Sequence, residues 1–138
     1  MNLPDDLDVR RVATYLGRTR AGAGLAMVAA PGVVGHGWFG PVGGSSGGRA
    51  LARAIGVREA VLGAGSAIAL GQRRGGGDWV SMLAVCDAGD ALVSLLTPGL
   101  PKRSRLLGLM AAGSAVAHFL MAQELAAEES DTAAAPPS

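Results

Sequence analysis

Residues Trp79 to Thr97 read WVSMLAVCDAGDALVSLLT, an apolar stretch that is interrupted by two acidic residues, Asp87 and Asp90. A helix rises about 1.5 Å per residue, so about 20 residues cross the roughly 30 Å hydrocarbon layer of a membrane. The stretch therefore has the length of a membrane-spanning helix. Its two acidic residues are costly in that setting, which makes them candidates for a functional site.

Three further apolar segments have similar lengths: Arg18 to Val34, Ala50 to Gly71 and Leu106 to Gln123. The connections between the segments are short and rich in glycine, proline and arginine, and short connections place successive helices antiparallel. Trp38, Phe39 and Trp79 lie in or beside these connections, where an interfacial aromatic belt would fall. We therefore expect an all-α fold, a four-helix transmembrane bundle with antiparallel up-down topology.

The chain of 138 residues has room for one domain. We expect an N-terminal tail over residues 1–11, a four-helix membrane domain over residues 12–123 and a disordered C-terminal tail over residues 124–138. The last prediction rests on the acidic, alanine-rich composition of that stretch and on its Pro-Pro-Ser ending.

The composition favours lipid over water as the surroundings of these helices. The chain is 49% hydrophobic but only 4% aromatic, and it contains 22 glycines. A water-soluble core of this kind would bury little area per residue, whereas helices in a membrane associate through small side chains. A soluble helical bundle remains the alternative, because six ionisable residues interrupt the apolar segments: Arg53, Arg58, Glu59, Asp87, Asp90 and His118.

Charge and cysteine content exclude some classes of protein and leave others open. The formal net charge is +1, so we expect no nucleic-acid partner. The single cysteine, Cys86, permits no internal disulfide. The expected partners are the lipid bilayer, a lipophilic small molecule and a second copy of the chain.

The basic residues give a prediction of orientation in the cytoplasmic (inner) membrane. Four spans place the amino terminus and the second connection on one side, which then carries Arg10, Arg11, Arg18, Arg20, Arg73 and Arg74. The other side carries Arg49, Arg53, Lys102, Arg103 and Arg105. Because basic residues favour the cytoplasmic side, the count of six against five places both termini in the cytoplasm.

The charged residues of the second and third segments are expected to meet. Asp87 and Asp90 are three residues apart and share one helix face, with Ser94 one turn further along. If the hairpin turns near Gly75, Arg58 lies level with Asp90 and Asp87 lies about one turn deeper. The sequence therefore predicts an ion pair between Arg58 and Asp90.

The charges of this group do not balance. Arg58 contributes one positive charge against the three negative charges of Glu59, Asp87 and Asp90, which leaves −2 if all are ionised. Hydrocarbon does not accept such a surplus. A carboxyl group that keeps its proton, Arg53, or His118 on the fourth segment would compensate it.

Three functions are compatible with this group of residues. The first is a binding or carrier protein for a small or lipophilic molecule. The second is a membrane-embedded enzyme in which a buried carboxyl group serves as general acid or general base on an apolar substrate such as a quinone, a prenyl chain or a polyketide. The third is an accessory subunit in which the polar groups only hold the helices in register.

The candidate residues divide by role. The catalytic candidates of the enzyme hypothesis are Asp87 and Glu59. The ligand-binding candidates are Arg58, Asp90, Ser94 and His118. We expect no metal and no cofactor, because within the apolar segments the D-x-x-D pattern occurs only at Asp87 and a carboxylate-held magnesium site would need a second acidic motif.

Two motifs carry a resemblance to a known family. They are R-A-I-G-V-R-E-A-V-L-G-A-G from Arg53 and W-x-x-x-L-A-V-C-D-A-G-D-A-L from Trp79. Over residues 11–122 the chain resembles a bacterial family of small four-helix membrane proteins that is known only as a domain of unknown function. The resemblance implies a four-helix membrane fold and the pairing of the second helix with the third, and it implies no substrate.

Overall fold

The computed structural model describes residues 8–134, and 91% of these residues are helical, with no strand among them. The all-α prediction is therefore confirmed for this part of the chain. The helices are α1 (Val9–Ala29), α2 (Pro31–Phe39), α3 (Ser46–Gly71), α4 (Gly76–Leu96) and α5 (Lys102–Ala134), with a 3₁₀ turn at Gly40–Gly44.

The helices associate as two pairs, α1 with α3 and α4 with α5, and the contact between α3 and α4 is much smaller. Glycines allow α1 and α3 to approach closely. A Cβ atom on Gly24 would lie 2.6 Å from the Gly56 carbonyl oxygen, and one on Gly63 would lie 2.5 Å from the Gly17 carbonyl oxygen. The two helices are therefore antiparallel, with Gly17 opposite Gly63 and Gly24 opposite Gly56.

A sharp bend divides the first predicted apolar segment. The axis turns by 103° between α1 and the stretch that follows from Pro31 to Gly44. Proline cannot donate a backbone hydrogen bond and disfavours helical geometry in the residue before it. Ala30 accordingly has φ −125° and ψ 55°. The prediction of one segment from Arg18 to Val34 was wrong in this respect, because α1 ends at Ala29.

The glycine- and serine-rich connection after α2 contains the start of a helix. The Ser45 hydroxyl accepts a hydrogen bond from the Gly48 backbone N–H at 3.0 Å and so caps α3. A Cβ atom on Gly48 would lie 2.7 Å from the Gly43 Cα atom. Glycine at this position therefore serves the close approach of the turn to the first turn of α3.

The C-terminal helix continues well beyond the predicted boundary at residue 123. α5 reaches Ala134 and so includes residues 124–134 of the predicted tail. Leu125 is fully buried, and the Glu129 carboxylate accepts a hydrogen bond from the Gly76 backbone N–H at 3.0 Å. These tertiary contacts stabilise a stretch whose composition alone favours disorder. Residues 1–7 and 135–138 of the predicted tails lie outside the described residues.

Most of the described helices have the dimensions of membrane spans. Three of them, α3, α4 and α5, are long and apolar enough to cross a membrane, and the number rises to four if the bent pair that begins with α1 counts as one span. The small buried core lies toward the chain termini and consists of Ala13, Leu70, Val80, Ala122 and Leu125. Large apolar side chains cover the outside instead, among them Leu25, Val61, Val85, Leu109, Met110, Val116 and Phe119.

Candidate functional site

Ionisable side chains from four helices meet where the two helix pairs face each other. We call this group the charged cluster; its members are Arg20 of α1, Arg58 and Glu59 of α3, Asp87 and Asp90 of α4, and His118 of α5. The cluster joins the pair α1/α3 to the pair α4/α5. Its contacts therefore help to set the position of one helix pair relative to the other.

One edge of the charged cluster links α3 to α4. Arg58 Nη2 lies 2.6 Å from Asp90 Oδ2, and these are the two residues that the sequence predicts to pair. The same nitrogen lies 2.9 Å from Glu59 Oε1. The Arg58 side chain is 34% exposed and that of Asp90 is 19% exposed, so this edge borders the surface of the bundle.

Arg20 holds the centre of the charged cluster. Its Nε contacts Glu59 Oε2 and its Nη2 contacts Asp87 Oδ1, so one guanidinium bridges α1, α3 and α4. Arg20 was expected from the sequence at the membrane boundary, and this role was not predicted. The position of Arg20 follows from the alignment of the glycines of α1 with those of α3. Pairing Gly17 with Gly63 and Gly24 with Gly56 brings Arg20 beside Glu59.

The second oxygen of Asp87 faces α5. Asp87 Oδ2 accepts a hydrogen bond from Ser114 Oγ at 2.6 Å and lies 2.9 Å from His118 Nδ1. The bond from Nδ1 to an ionised carboxylate requires a proton on Nδ1, so the neutral ring presents Nε2 as a bare acceptor. Ser114 lies one helical turn before His118, and its contact with Asp87 was not predicted from the sequence.

Ser94 lies outside the charged cluster. Its hydroxyl oxygen accepts a hydrogen bond from Trp38 Nε1 at 3.4 Å, and a Cβ atom on Gly108 would lie 2.9 Å from its Cβ. Ser94 shares a helix face with Asp87, as predicted, but it joins α4 to α2 and α5. The ligand-binding role that the sequence analysis gave it has no support from its position.

The net charge of the group in the structure differs from the −2 expected from the sequence. Two guanidinium groups face three carboxylates, so the charged cluster carries −1 with neutral His118 and zero with protonated His118. Arg53, which the sequence analysis considered as a compensating cation, is exposed and makes no contact with the group. Arg20 supplies the second positive charge instead.

The charged cluster lies deep in the bundle. Asp87 is 4% exposed and His118 is 5% exposed. Asp87 lies near the middle of α4, about 14 Å from the C-terminal end and about 16 Å from the N-terminal end at 1.5 Å per residue. If α4 spans a bilayer, the charged cluster therefore lies close to the midplane.

The geometry bears on the enzyme hypothesis. Glu59 is paired with Arg20 and Arg58, and Asp87 is paired with Arg20 and accepts two further hydrogen bonds. Such contacts stabilise ionised carboxylates, whereas a general acid must hold a proton. A role for Asp87 or Glu59 as general acid therefore has no support from these contacts.

The site also lacks the arrangement of a serine nucleophile. Ser114 Oγ and Asp87 Oδ2 both approach His118 on the Nδ1 side, at 3.2 and 2.9 Å. A catalytic triad instead places the serine at the nitrogen opposite the carboxylate. Among residues 8–134, no group of three or more His, Cys, Asp or Glu side chains is arranged to hold a metal ion.

Comparison of the chain with models of protein families, with curated proteins and with solved structures gives no match. The resemblance to small four-helix membrane proteins therefore stays a prediction.

Proposed function

We propose that the protein is an integral membrane protein of the binding or carrier type, which takes up the positively charged group of a small or lipophilic molecule at the charged cluster. The observation that carries the proposal is the charge count of two guanidinium groups against three buried or half-buried carboxylates. One negative charge is left over when His118 is neutral. A cationic group that enters the cluster balances it.

Membrane insertion makes this surplus costly. A charge near the centre of a helix in a bilayer costs at least about 2.5 kcal/mol even on the lenient insertion scales. We infer that the bent pair α1/α2 and the helices α3, α4 and α5 are the four spans of an antiparallel bundle in the inner membrane. In that setting a bound cation or a proton stabilises the protein.

The position of the charged cluster supports a carrier in particular. The cluster is the main polar link between the pairs α1/α3 and α4/α5, and the direct contact between α3 and α4 is small. A ligand that binds between Arg58 and Asp90 weakens that link. Binding is therefore coupled to the relative position of the two pairs, which is what a carrier requires.

Binding of an alkylammonium ion tests the proposal. We choose hexylammonium as the probe and isothermal titration calorimetry of the detergent-purified chain as the measurement. Wild type should bind it saturably, and Asp90→Asn should weaken binding at least about tenfold because it removes the surplus charge, a change equivalent to about 1.4 kcal/mol. Asp90 has the most exposed side chain of the three carboxylates in the charged cluster, at 19%, so its neutralisation should disturb the fold least.

Asp78→Asn is the matched control, because Asp78 is an exposed carboxylate in the first turn of the same helix. It should leave the affinity for hexylammonium unchanged. The proposal is wrong if wild type shows no saturable binding, or if both variants change the affinity equally.

A second candidate function is a non-catalytic accessory subunit in which the charged cluster only fixes the helix pairs. It is favoured by the observation that each ionisable side chain of the cluster has a partner inside it. In that case the wild type binds no hexylammonium, and substitutions in the cluster change thermal stability alone.

A further inference from the structure

The end of the bundle opposite the chain termini is basic throughout. We call this the basic end; it carries five exposed cationic side chains, Arg49, Arg53, Lys102, Arg103 and Arg105. Residues 31–57 and 91–113, which lie between this end and the charged cluster, contain no aspartate or glutamate. The nearest carboxylates along the helices are Glu59 and Asp90, and both are paired within the charged cluster.

Backbone carbonyl oxygens hold three of these cations without neutralising them, and the longest of the three bonds runs from Arg105 Nη1 to the Leu95 carbonyl oxygen at 3.4 Å. Arg103 Nη2 donates to the His36 carbonyl oxygen at 2.8 Å, and Arg49 Nη1 donates to the Gly44 carbonyl oxygen at 2.9 Å. Carbonyl oxygens carry no formal charge. The guanidinium groups are therefore held in place at the corner between α2, α3 and α5, and they keep their full positive charge.

The opposite end differs in its charge pairing. There Arg10 Nη2 lies 3.2 Å from Glu128 Oε2, and Arg11 Nε lies 3.1 Å from Asp8 Oδ2. That end also carries the exposed carboxylates of Asp78, Glu124 and Asp131, so its carboxylates offset its cations in number. An excess of unpaired positive charge is thus a property of the basic end.

Apolar side chains accompany the cations. α2 leaves the direction of α1 by 103°, and it is followed by the 3₁₀ turn. Val33 of α2 and Val42 of the turn are 76% and 73% exposed, and the Trp38 and Phe39 rings stack at 5.7 Å between their centroids. Trp38 and Phe39 are half-buried, and exposed apolar groups together with aromatic groups beside basic groups are typical of segments that lie in the headgroup region of a membrane.

We propose that the basic end is a docking surface for anionic phospholipid headgroups, whose phosphates pair with its five cationic side chains. Charge complementarity carries the proposal, because each cation near an anionic membrane surface adds to the attraction and no carboxylate at this end opposes it. The inference concerns cations that lie apart from the charged cluster, by about 8 Å of helix rise from Arg53 to Arg58 and about 14 Å from Arg49 to Arg58, and it does not depend on the proposed ligand. It does require that the helices lie in a membrane.

Tryptophan fluorescence provides the test, because Trp38 lies at the basic end and Trp79 at the other. The protein Trp79→Phe, with Trp38 as its sole tryptophan, is reconstituted into vesicles that contain brominated phosphatidylglycerol or brominated phosphatidylcholine. We expect the brominated anionic lipid to quench Trp38 more strongly than the zwitterionic lipid at equal mole fraction. The reciprocal protein, Trp38→Phe, should show no such preference at Trp79.

Charge variants identify the responsible side chains. Arg53 and Lys102 are exposed and make no hydrogen bond or ion pair within the described residues, so Arg53→Gln with Lys102→Gln removes charge without removing a contact. This pair of changes should lower the relative affinity of the Trp38 site for phosphatidylglycerol at least about fivefold. Arg18→Gln with Arg74→Gln, an equal charge change toward the other end, is the matched control and should have no effect on Trp38.

The proposal fails if both lipids quench Trp38 equally in the protein Trp79→Phe with all five cations present. It also fails if the control pair of changes lowers the relative affinity for phosphatidylglycerol as strongly as Arg53→Gln with Lys102→Gln. Loss of the preference on addition of inorganic phosphate, at constant ionic strength, would assign the surface to soluble phosphate groups and overturn the lipid assignment. None of these readouts uses hexylammonium binding, so this proposal and the proposed function fail separately.

Discussion

At the scale of single residues, Arg20 and Arg58 are expected to contribute differently to stability, although both carry a guanidinium group in the charged cluster. The Arg20 side chain is 14% exposed and contacts two carboxylates on two different helices. The Arg58 side chain is 34% exposed, and its partner Glu59 also contacts Arg20. Loss of Arg20 therefore leaves more buried charge without a partner than loss of Arg58.

We expect Arg20→Met to lower the free energy of unfolding by about 3–5 kcal/mol, the usual cost of removing one partner of a buried ion pair. Arg58→Met should have a clearly smaller effect, because Asp90 is within reach of the surface. Thermal unfolding of the purified protein in detergent measures both. Arg18→Met, an exposed arginine near Arg20, serves as the control, and a larger loss for Arg58→Met than for Arg20→Met would contradict the central position of Arg20.

The sequence predicts part of this cluster and misses the rest for a physical reason. Arg58 and Asp90 are linked by a short hairpin, so helix rise alone brings them level. Arg20 and Ser114 reach the cluster from α1 and α5, whose depth and rotation depend on side-chain packing between helices. The glycine register of α1 on α3 contains that information for Arg20, but only after α1 is known to pack on α3.

At the scale of helices, small residues decide how closely α1 approaches α3. Gly22 and Gly24 lie two residues apart on α1, but a Cβ atom on Gly24 would lie 2.6 Å from the Gly56 carbonyl oxygen, while one on Gly22 would meet nothing within 4 Å. Exposed in the structure, Gly22 lies away from α3.

Gly24→Ala should therefore separate α1 from α3 and lower the free energy of unfolding by about 1–3 kcal/mol, the range for overpacked sites. Gly22→Ala should leave it unchanged or raise it by up to about 1 kcal/mol, because alanine favours the helix over glycine. Detergent thermal unfolding of the two variants makes the comparison. Equal effects of both substitutions would show that the observed register of α1 on α3 is wrong.

Helix boundaries show where local sequence rules hold and where they fail. Pro31 ends α1 because proline has no backbone N–H to donate. The apolar segment from Arg18 to Val34 does not reveal this break, because hydropathy contains no information on backbone geometry. The extension of α5 to Ala134 depends on contacts between distant parts of the chain, such as the bond of Glu129 to the Gly76 backbone. No composition rule for residues 124–134 predicts such contacts.

At the scale of the whole molecule, the position of Arg20 changes the expected orientation. With Arg20 inside the charged cluster, the count of basic residues is five on each side, and the unpaired excess lies at the basic end. Basic residues favour the cytoplasmic side of a membrane. From the docking proposal we therefore expect the basic end in the cytoplasm, which is the reverse of the orientation that the sequence count favours.

Single cysteines at the two ends test this orientation. In a Cys86→Ala background, Thr97→Cys marks the basic end and Ser130→Cys marks the end near the chain termini, and both positions are exposed. A membrane-impermeant maleimide should label Ser130→Cys, and not Thr97→Cys, in right-side-out vesicles. The opposite labelling pattern would restore the orientation expected from the sequence.

The central claim is that lipid surrounds these helices and that the charged cluster lies near the middle of the bilayer. Ala88 is exposed on α4, next to Asp87, and so reports the surroundings at that depth. The most direct measurement is the electron paramagnetic resonance of a nitroxide at Ala88→Cys, in a Cys86→Ala background reconstituted into vesicles. We predict strong relaxation by dissolved oxygen and little by a water-soluble nickel complex, whereas strong relaxation by the nickel complex would place this face of α4 in water and contradict the claim.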